Sequence, residues 1–341
     1  MPEQVDLGFT IARAAAGPLA RRKPSRGRAA RPRKAEAVHL VPALTAAEAF
    51  ARIARACVTH MVANVDCAAA ARDPEGVHQL RVGIRRLRAA FSAFRDVLPA
   101  GPAARLGRDL RWLQGALGVA REWDVFIGDV LTPVRAAPAA HRGLKPLLAA
   151  SQRERSAAYA ACRAALASRR CQTLLRDLAR ATAPNDGGVV PPAARRRAPP
   201  EGSSQPVATL AATALRKRHK QVHKLGRKLG KLRAEELHAL RIRVKRLRYA
   251  IEFFADLWPG KATKRYVAVL KRLQDITGQA EDAIVALEQL ERLGAATGHD
   301  TARLIADLRK ATTKRLGRLR RRLVDPWKRF QALEAFWSAA P

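Results

Sequence analysis

Apolar residues recur at helical spacing through most of this chain. Between Val77 and Leu98 the sequence sets Leu80, Ile84, Leu87, Phe91 and Phe94 at steps of three and four, and between Leu237 and Trp258 it sets Leu240, Val244, Leu247, Ile251 and Phe254 in the same way. Each run predicts a helix with one buried face. Thr45 and Glu48 have the spacing of a capping box, and Phe50, Ile53, Ala54, Cys57, Val58 and Met61 follow at helical intervals, so the folded part is expected to begin there. Proline and glycine punctuation divides the rest into stretches at roughly 45–70, 75–98, 103–131 and 143–182, then 207–232, 235–258, 261–293 and 300–337. No segment alternates with period two over the length of a strand.

The two halves also repeat. Val77-His-Gln-Leu-Arg-Val-Gly-Ile-Arg-Arg-Leu-Arg88 aligns with Leu237-His-Ala-Leu-Arg-Ile-Arg-Val-Lys-Arg-Leu-Arg248 at an offset of 160 residues, and the same offset matches Leu110, Leu113, Gln114 and Gly118 with Leu270, Leu273, Gln274 and Gly278. One spacing shared across successive helices points to a duplicated unit. The expected fold is all-α: two pseudo-symmetric antiparallel four-helix bundles produced by an internal duplication. The expected division is a flexible basic arm over 1–43, a first helical half over 44–182, a Pro/Gly-rich linker over 183–206 and a second helical half over 207–338.

Composition agrees with helices and adds a partner class. Apolar residues make up 48% of the 341 but aromatics only 5%, which suits the Ala/Leu/Val packing of helix bundles. Against 29 acidic residues stand 65 Lys and Arg, a formal charge of +36. Such a chain repels itself unless anions lie on it: nucleic acid, an anionic lipid surface or a free polyanion. No apolar run reaches the length of a membrane span, and the start of the chain, with Glu3 and Asp6, is unlike a signal peptide. Cys57, Cys67, Cys162 and Cys171 show no Cys-x-x-Cys spacing and read as reduced, buried thiols of a cytoplasmic protein.

The charge is ordered where the repeat is clearest. Beside each apolar stripe runs a second one: His78, Arg81, Arg85 and Arg88 in the first half, His238, Arg241, Lys245 and Arg248 in the second. A solvated basic face held by helical salt bridges would need acidic residues three or four positions away. None occurs from Val77 to Arg95, or from Leu237 to Ala250. Cations stacked on one face repel each other, so their retention in both halves points to a bound anion. Arginine's planar fork grips phosphate oxygens in pairs, and a histidine heading each row is able to donate to an oxyanion.

Other features carry less. The basic tracts at 216–233 and 310–322 either extend a binding surface or form solvated faces. His219 and His223 have the spacing of helical metal ligands, but Arg218, Lys220 and Lys224 beside them disfavour a cation, and no metal site is expected. Glu122, Asp124, Glu281 and Asp282, which follow the matched Gly118 and Gly278, are expected to pair with arginines across the bundle. The chain contains no GxxxxGK[ST] loop, no GxGxxG opening a helix and no GxSxG. No nucleophile and no cofactor are therefore expected.

The duplicated His-x-x-Arg-[Val/Ile]-x-[Ile/Val]-[Arg/Lys]-Arg-Leu-Arg motif, with the Leu-Gln-x-x-x-Gly passages that follow it, resembles the CHAD family, the conserved-histidine α-helical domain. The resemblance spans about 44–338 and rests on Val77–Leu98, Leu110–Val125, Leu237–Trp258 and Leu270–Ala286. It implies paired four-helix bundles that bind inorganic polyphosphate and associate with polyphosphate granules. On this chain the implied ligand residues are His78, Arg81, Arg85, Arg88, His238, Arg241, Lys245 and Arg248. The Glu-x-Glu-x-Lys strand of the triphosphate-tunnel domains often fused to such proteins is not found. The expected function is thus non-enzymatic polyphosphate binding through paired basic helix faces. The alternative is a protein that binds nucleic acid without sequence preference, and a third class, a phosphohydrolase, would want a Mg²⁺-holding carboxylate cluster that the acidic residues do not obviously form.

Overall fold

Helices account for nearly all of the backbone in the computed structural model, which describes residues 31–135, 142–182, 202–294 and 299–339. In chain order they are α1 (Ala46–Ala70), α2 (Pro74–Ala93), α3 (Ala100–Ala116), α4 (Gly118–Phe126), α5 (Thr132–Arg135), α6 (Leu144–Ala167), α7 (Arg169–Ala181), α8 (Val207–Gly226), α9 (Ala234–Phe254), α10 (Lys261–Gly294), α11 (His299–Arg322) and α12 (Val324–Gln331). Short 3-10 turns at Arg95–Val97 and Ala255–Leu257 join α2 to α3 and α9 to α10, and a π-helical turn at Ile127–Leu131 follows α4. The two 3-10 corners stand at the same 160-residue offset as the sequence repeat. Among the described residues there is no strand, only an isolated bridge between Thr45 and Pro206.

Local signals act where the sequence places them. Thr45 caps α1 as a capping box: its hydroxyl accepts from Glu48 N at 3.3 Å, while Glu48 Oε2 accepts from Thr45 N at 2.8 Å. Asp73 caps α2 ahead of Pro74 in the first turn, the position where a missing N–H costs nothing. The expected single stretches at 143–182 and 300–337 are each broken. Ser168 starts a new helix by accepting from Cys171 N, and α11 ends where Leu323 and Pro326 begin α12.

The chain forms two compact units. Unit 1 joins residues up to Gly118 with Tyr159–Ala214, and unit 2 joins Val119–Ala158 with Leu215–Ala340. They differ from the sequence halves 44–182 and 207–338, because the unit boundaries fall inside α6 after Ala158 and inside α8 after Ala214. Periodicity reports which face of a helix is buried but not which partner buries it, so this exchange is invisible to it.

In unit 1, α1 packs on α2, α2 on α3, α3 on α7 and α7 back on α1, a closed ring of four helices. Phe50, Ile53, Met61, Leu80, Ile84 and Phe94 are its largest fully buried side chains. Gly76 and Gly83 let α2 approach α1 closely, since a Cβ at Gly76 would lie 2.6 Å from Cys67 Sγ and one at Gly83 would lie 2.7 Å from Met61 Cγ. All four cysteines are buried and free. Burial pushes the Cys57 thiol up to about 11 and the Cys171 thiol up to about 12, so neither supplies thiolate near neutral pH.

The arm and the linker need correction. Residues 1–30 and 183–201 lie outside the described residues, but 31–43 and 202–206 are built onto unit 1. Arg33 N donates to Asn64 Oδ1 and Arg33 O accepts from Asn64 Nδ2, both at 2.9 Å, and Leu40 is 2% exposed. Ser203 O and Gln205 O accept from Ala47 N and Ala46 N at the start of α1. Proline and arginine content concealed these contacts because they satisfy backbone groups and bury one leucine, with no periodic pattern to show it. Truncation after residue 43 is therefore expected to lower the stability of unit 1 by about 2–3 kcal/mol relative to truncation after residue 30, chiefly through Leu40. Urea unfolding of the two truncations checks this; equal midpoints would show that 31–43 adds nothing.

In unit 2, α10 packs against α9, α11 and α12, and α11 against α12. Its core includes an aromatic cluster in which the Phe330 ring lies 4.9 Å from His223, 5.3 Å from Trp327, 5.4 Å from His219 and 5.9 Å from Tyr266. His219 and His223 thus serve as packed rings. Their Nε2 atoms are buried with no hydrogen-bond partner among the described residues. Burial holds His219 down at about 4, with the His223 charge adding to the effect, and burial likewise lowers His223. A histidine whose folded value lies below its unfolded one stabilises the fold above the unfolded value and loses that contribution as pH falls. The thermal midpoint of unit 2 is expected to drop as pH falls from about 6.5 toward 4, and to drop less in His219→Phe. A flat midpoint over that range would contradict the buried neutral pair.

Candidate anion-binding site

Helical geometry makes the two basic stripes. At about 100° per residue, positions spaced by three, four and three residues fall within an arc of about 80°. His78, Arg81, Arg85 and Arg88 therefore share one face of α2, and His238, Arg241, Lys245 and Arg248 share one face of α9. The neighbouring apolar residues Leu80, Ile84 and Leu87, and Leu240, Val244 and Leu247, are all buried. This anchors each helix and fixes the direction of its charged face. All stripe members are half-buried except His238, which is exposed.

Each stripe is held by the Leu-Gln passage that follows it in sequence. In unit 1, Arg81 donates to the backbone carbonyl of Gln114 at 2.7 Å, and Arg85 keeps a buried Nε with no hydrogen-bond partner among the described residues. In unit 2, Arg248 Nε donates to Gln274 Oε1 at 2.7 Å, its guanidinium pairs with Glu252, and it lies 4.8 Å over the Tyr249 ring. These contacts fix the guanidinium planes before any ligand arrives, and such preorganisation favours tight binding.

Unit 2 also collects the carboxylates. His238 Nδ1 meets Glu281 Oε1 at 2.5 Å, and Arg155 Nε donates to the buried Asp124 Oδ1 at 2.7 Å. Burial raises the Asp282 carboxyl above its ordinary range, with Asp129 reinforcing and Arg241, Lys245 and Arg121 opposing. The expected pairing of these acids with arginines is seen for Asp124, through Arg155, whereas Glu281 meets His238 instead. Arg121, Asp129 and Arg155, which face this part of unit 2, were missed by sequence reasoning because they come from the other half of the chain. Among the described residues no group of three or more His, Cys, Asp or Glu is placed to hold a metal ion.

Comparison with known proteins adds identity to this geometry. The family model described as "CHAD domain" matches residues 52–291, which is well over half of the chain. The protein belongs to the CHAD domain family. Its fold matches the crystal structure of the CHAD domain from the plant Ricinus communis with a TM-score of 0.73 and 29% identity, covering 89% of this chain and 98% of the plant one. It also matches PptA from Streptomyces chartreusis with a TM-score of 0.64 over 83% of this chain and 99% of that one; at 15% identity this likeness is one of fold. No curated protein matches. The matched span of this CHAD domain contains all eight stripe residues, from His78 to Arg248. Among the described residues no helix is long and apolar enough to cross a membrane.

Proposed function

We propose that this CHAD domain binds inorganic polyphosphate through the basic faces of α2 and α9, catalyses no reaction on it, and acts in the cytoplasm at polyphosphate granules. One observation carries the reading: in each unit four basic side chains share one helix face beside a buried apolar stripe, and one of them, Arg81 on α2 or Arg248 on α9, is held by the Leu-Gln passage of its own unit. Such a row spans about 15 Å at 1.5 Å per residue and suits a linear anion with closely repeated charges. Binding gains from counterion release and from charge-assisted hydrogen bonds. Glu281 and Asp124 are engaged with His238 and Arg155, which supports a binding role over acid–base work. Nucleic acid is the alternative polyanion, and the small number of exposed aromatic rings counts against stacking single strands.

The test is competition. Labelled medium-chain polyphosphate bound to the full chain is titrated with unlabelled polyphosphate or with duplex DNA at equal charge, and phosphate release is followed with Mg²⁺ or Mn²⁺ present. Polyphosphate is expected to displace at far lower concentration, with no phosphate released. Displacement by DNA at equal or lower concentration would transfer the function to nucleic acid, and sustained release would make the protein a hydrolase.

A further inference from the structure

A second cationic feature shares no residue with the stripes. A groove of about 650 Å³ in unit 2 is flanked by Arg265 and Arg272 of α10, Arg322 at the end of α11 and Arg329 of α12. All four arginines are exposed, and none of their side chains makes a hydrogen bond or ion pair with a described residue. Asp325 is the one acidic residue in the lining, and it too makes no ion pair among the described residues. Four guanidiniums against one carboxylate around one concavity leave an excess of positive charge, and a bound anion relieves the resulting repulsion.

The shape of the groove selects the anion. Arg265 and Arg272 are seven residues apart on one helix, so their Cα atoms are separated by about 10 Å along its axis. A single phosphate ion does not reach both, whereas an anion with charges repeated along its length does. The remaining lining is aliphatic, from Val269 and Pro326 among others, with no aromatic ring, so a nucleic acid would find no stacking platform. Arginine forks match the paired oxygens of phosphoryl groups. We infer that this groove is a binding site for a short linear phosphate chain, separate from the stripes of α2 and α9 and sharing no residue with them.

This gives one protein more than one place to hold phosphate chains, and a long chain engaged at the groove of one molecule and the stripes of another links the two. Linked molecules gain avidity without any new contact. Multivalent binding of this kind gathers protein and polyanion into a condensed phase.

The experiment titrates the full chain with inorganic tripolyphosphate by calorimetry in three variants: stripe (R81Q/R85Q/R241Q/K245Q), groove (R265Q/R272Q/R322Q/R329Q) and both together. All groove positions are exposed, so the fold is expected to survive, and circular dichroism verifies it. The stripe variant is expected to keep tripolyphosphate binding, and adding the groove substitutions to weaken that binding by about tenfold or more. Unchanged binding on adding the groove substitutions, or a stripe variant that binds no tripolyphosphate, would overturn the groove while leaving the stripe reading intact. Loss of all binding in the groove variant alone would instead uphold the groove and remove the stripes. A fourth variant, K310Q/K314Q/R315Q/R318Q on the stripe background, is expected to leave binding unchanged; an equal loss there would reveal diffuse charge and overturn the site. Displacement of tripolyphosphate from the stripe variant by an equally charged single-stranded oligonucleotide at lower concentration would reassign the groove to nucleic acid and overturn the phosphate-chain assignment.

Discussion

Removing charge at Arg81, Arg85, Arg241 and Lys245 is expected to weaken polyphosphate binding by at least about a hundredfold, whereas removing it at Lys310, Lys314, Arg315 and Arg318 costs only a few-fold. Both variants lose the same formal charge, so non-specific attraction falls equally and the difference measures the site. The stripe cations are half-buried and, for Arg81, tied to Gln114 O at 2.7 Å; a charge-assisted hydrogen bond from such a group contributes about 1.5–3 kcal/mol. Of the other four, Lys310, Lys314 and Arg318 are exposed and Arg315 is half-buried, and exposed charges contribute about 0–1 kcal/mol each. Affinity should also fall with salt on a logarithmic plot, with a shallower slope for the stripe variant. Equal losses from the two variants would mean that the protein acts as a diffuse polycation, and the eight stripe residues would lose their assignment.

Phe330→Ala is expected to produce the largest loss of stability among single substitutions in unit 2. Phe330 is 0% exposed and sits among His219, His223, Tyr266 and Trp327 with ring centroids 4.9–5.9 Å away. Truncating such a side chain removes its transfer free energy and leaves a cavity that rigid rings cannot collapse into, a cost of about 3–5 kcal/mol. Phe330→Leu, which keeps more of the volume, should cost less than half as much. Guanidinium unfolding followed through tryptophan fluorescence reads this out, since Trp327 and Trp337 belong to the same cluster. Near-identical midpoints for the wild type and Phe330→Ala would mean that the cluster does not hold unit 2 together.

Much of this architecture was legible in the sequence for reasons that can be named. Leu80, Ile84 and Leu87 are each buried to 0% exposure because burial follows the helical period, and the cationic rows beside them could be read from the same period. The capping box at Thr45 forms because its two partners are three residues apart and need nothing else. What could not be read is non-local. The contact of Leu40 and Arg33 with unit 1 depends on where α1 and its Asn64 come to lie. His219 and His223 had metal-ligand spacing, but Tyr266 and, from a second distant segment, Phe330 and Trp337 make them part of a core. Arg121 and Arg155 stand in unit 2 for a similar reason.

The allotment of Val119–Ala158 to unit 2 and of Tyr159–Ala214 to unit 1 has a consequence for biosynthesis. As the chain leaves the ribosome, unit 1 cannot close its ring of helices until α7 and the start of α8 have emerged, although α1 to α3 are made much earlier. Residues 119–158 must wait longer, until α9 to α12 exist to receive them. Neither half of the sequence is a folding unit, so cutting the gene within 183–201 would yield two fragments that each lack part of a core and fold only when expressed together.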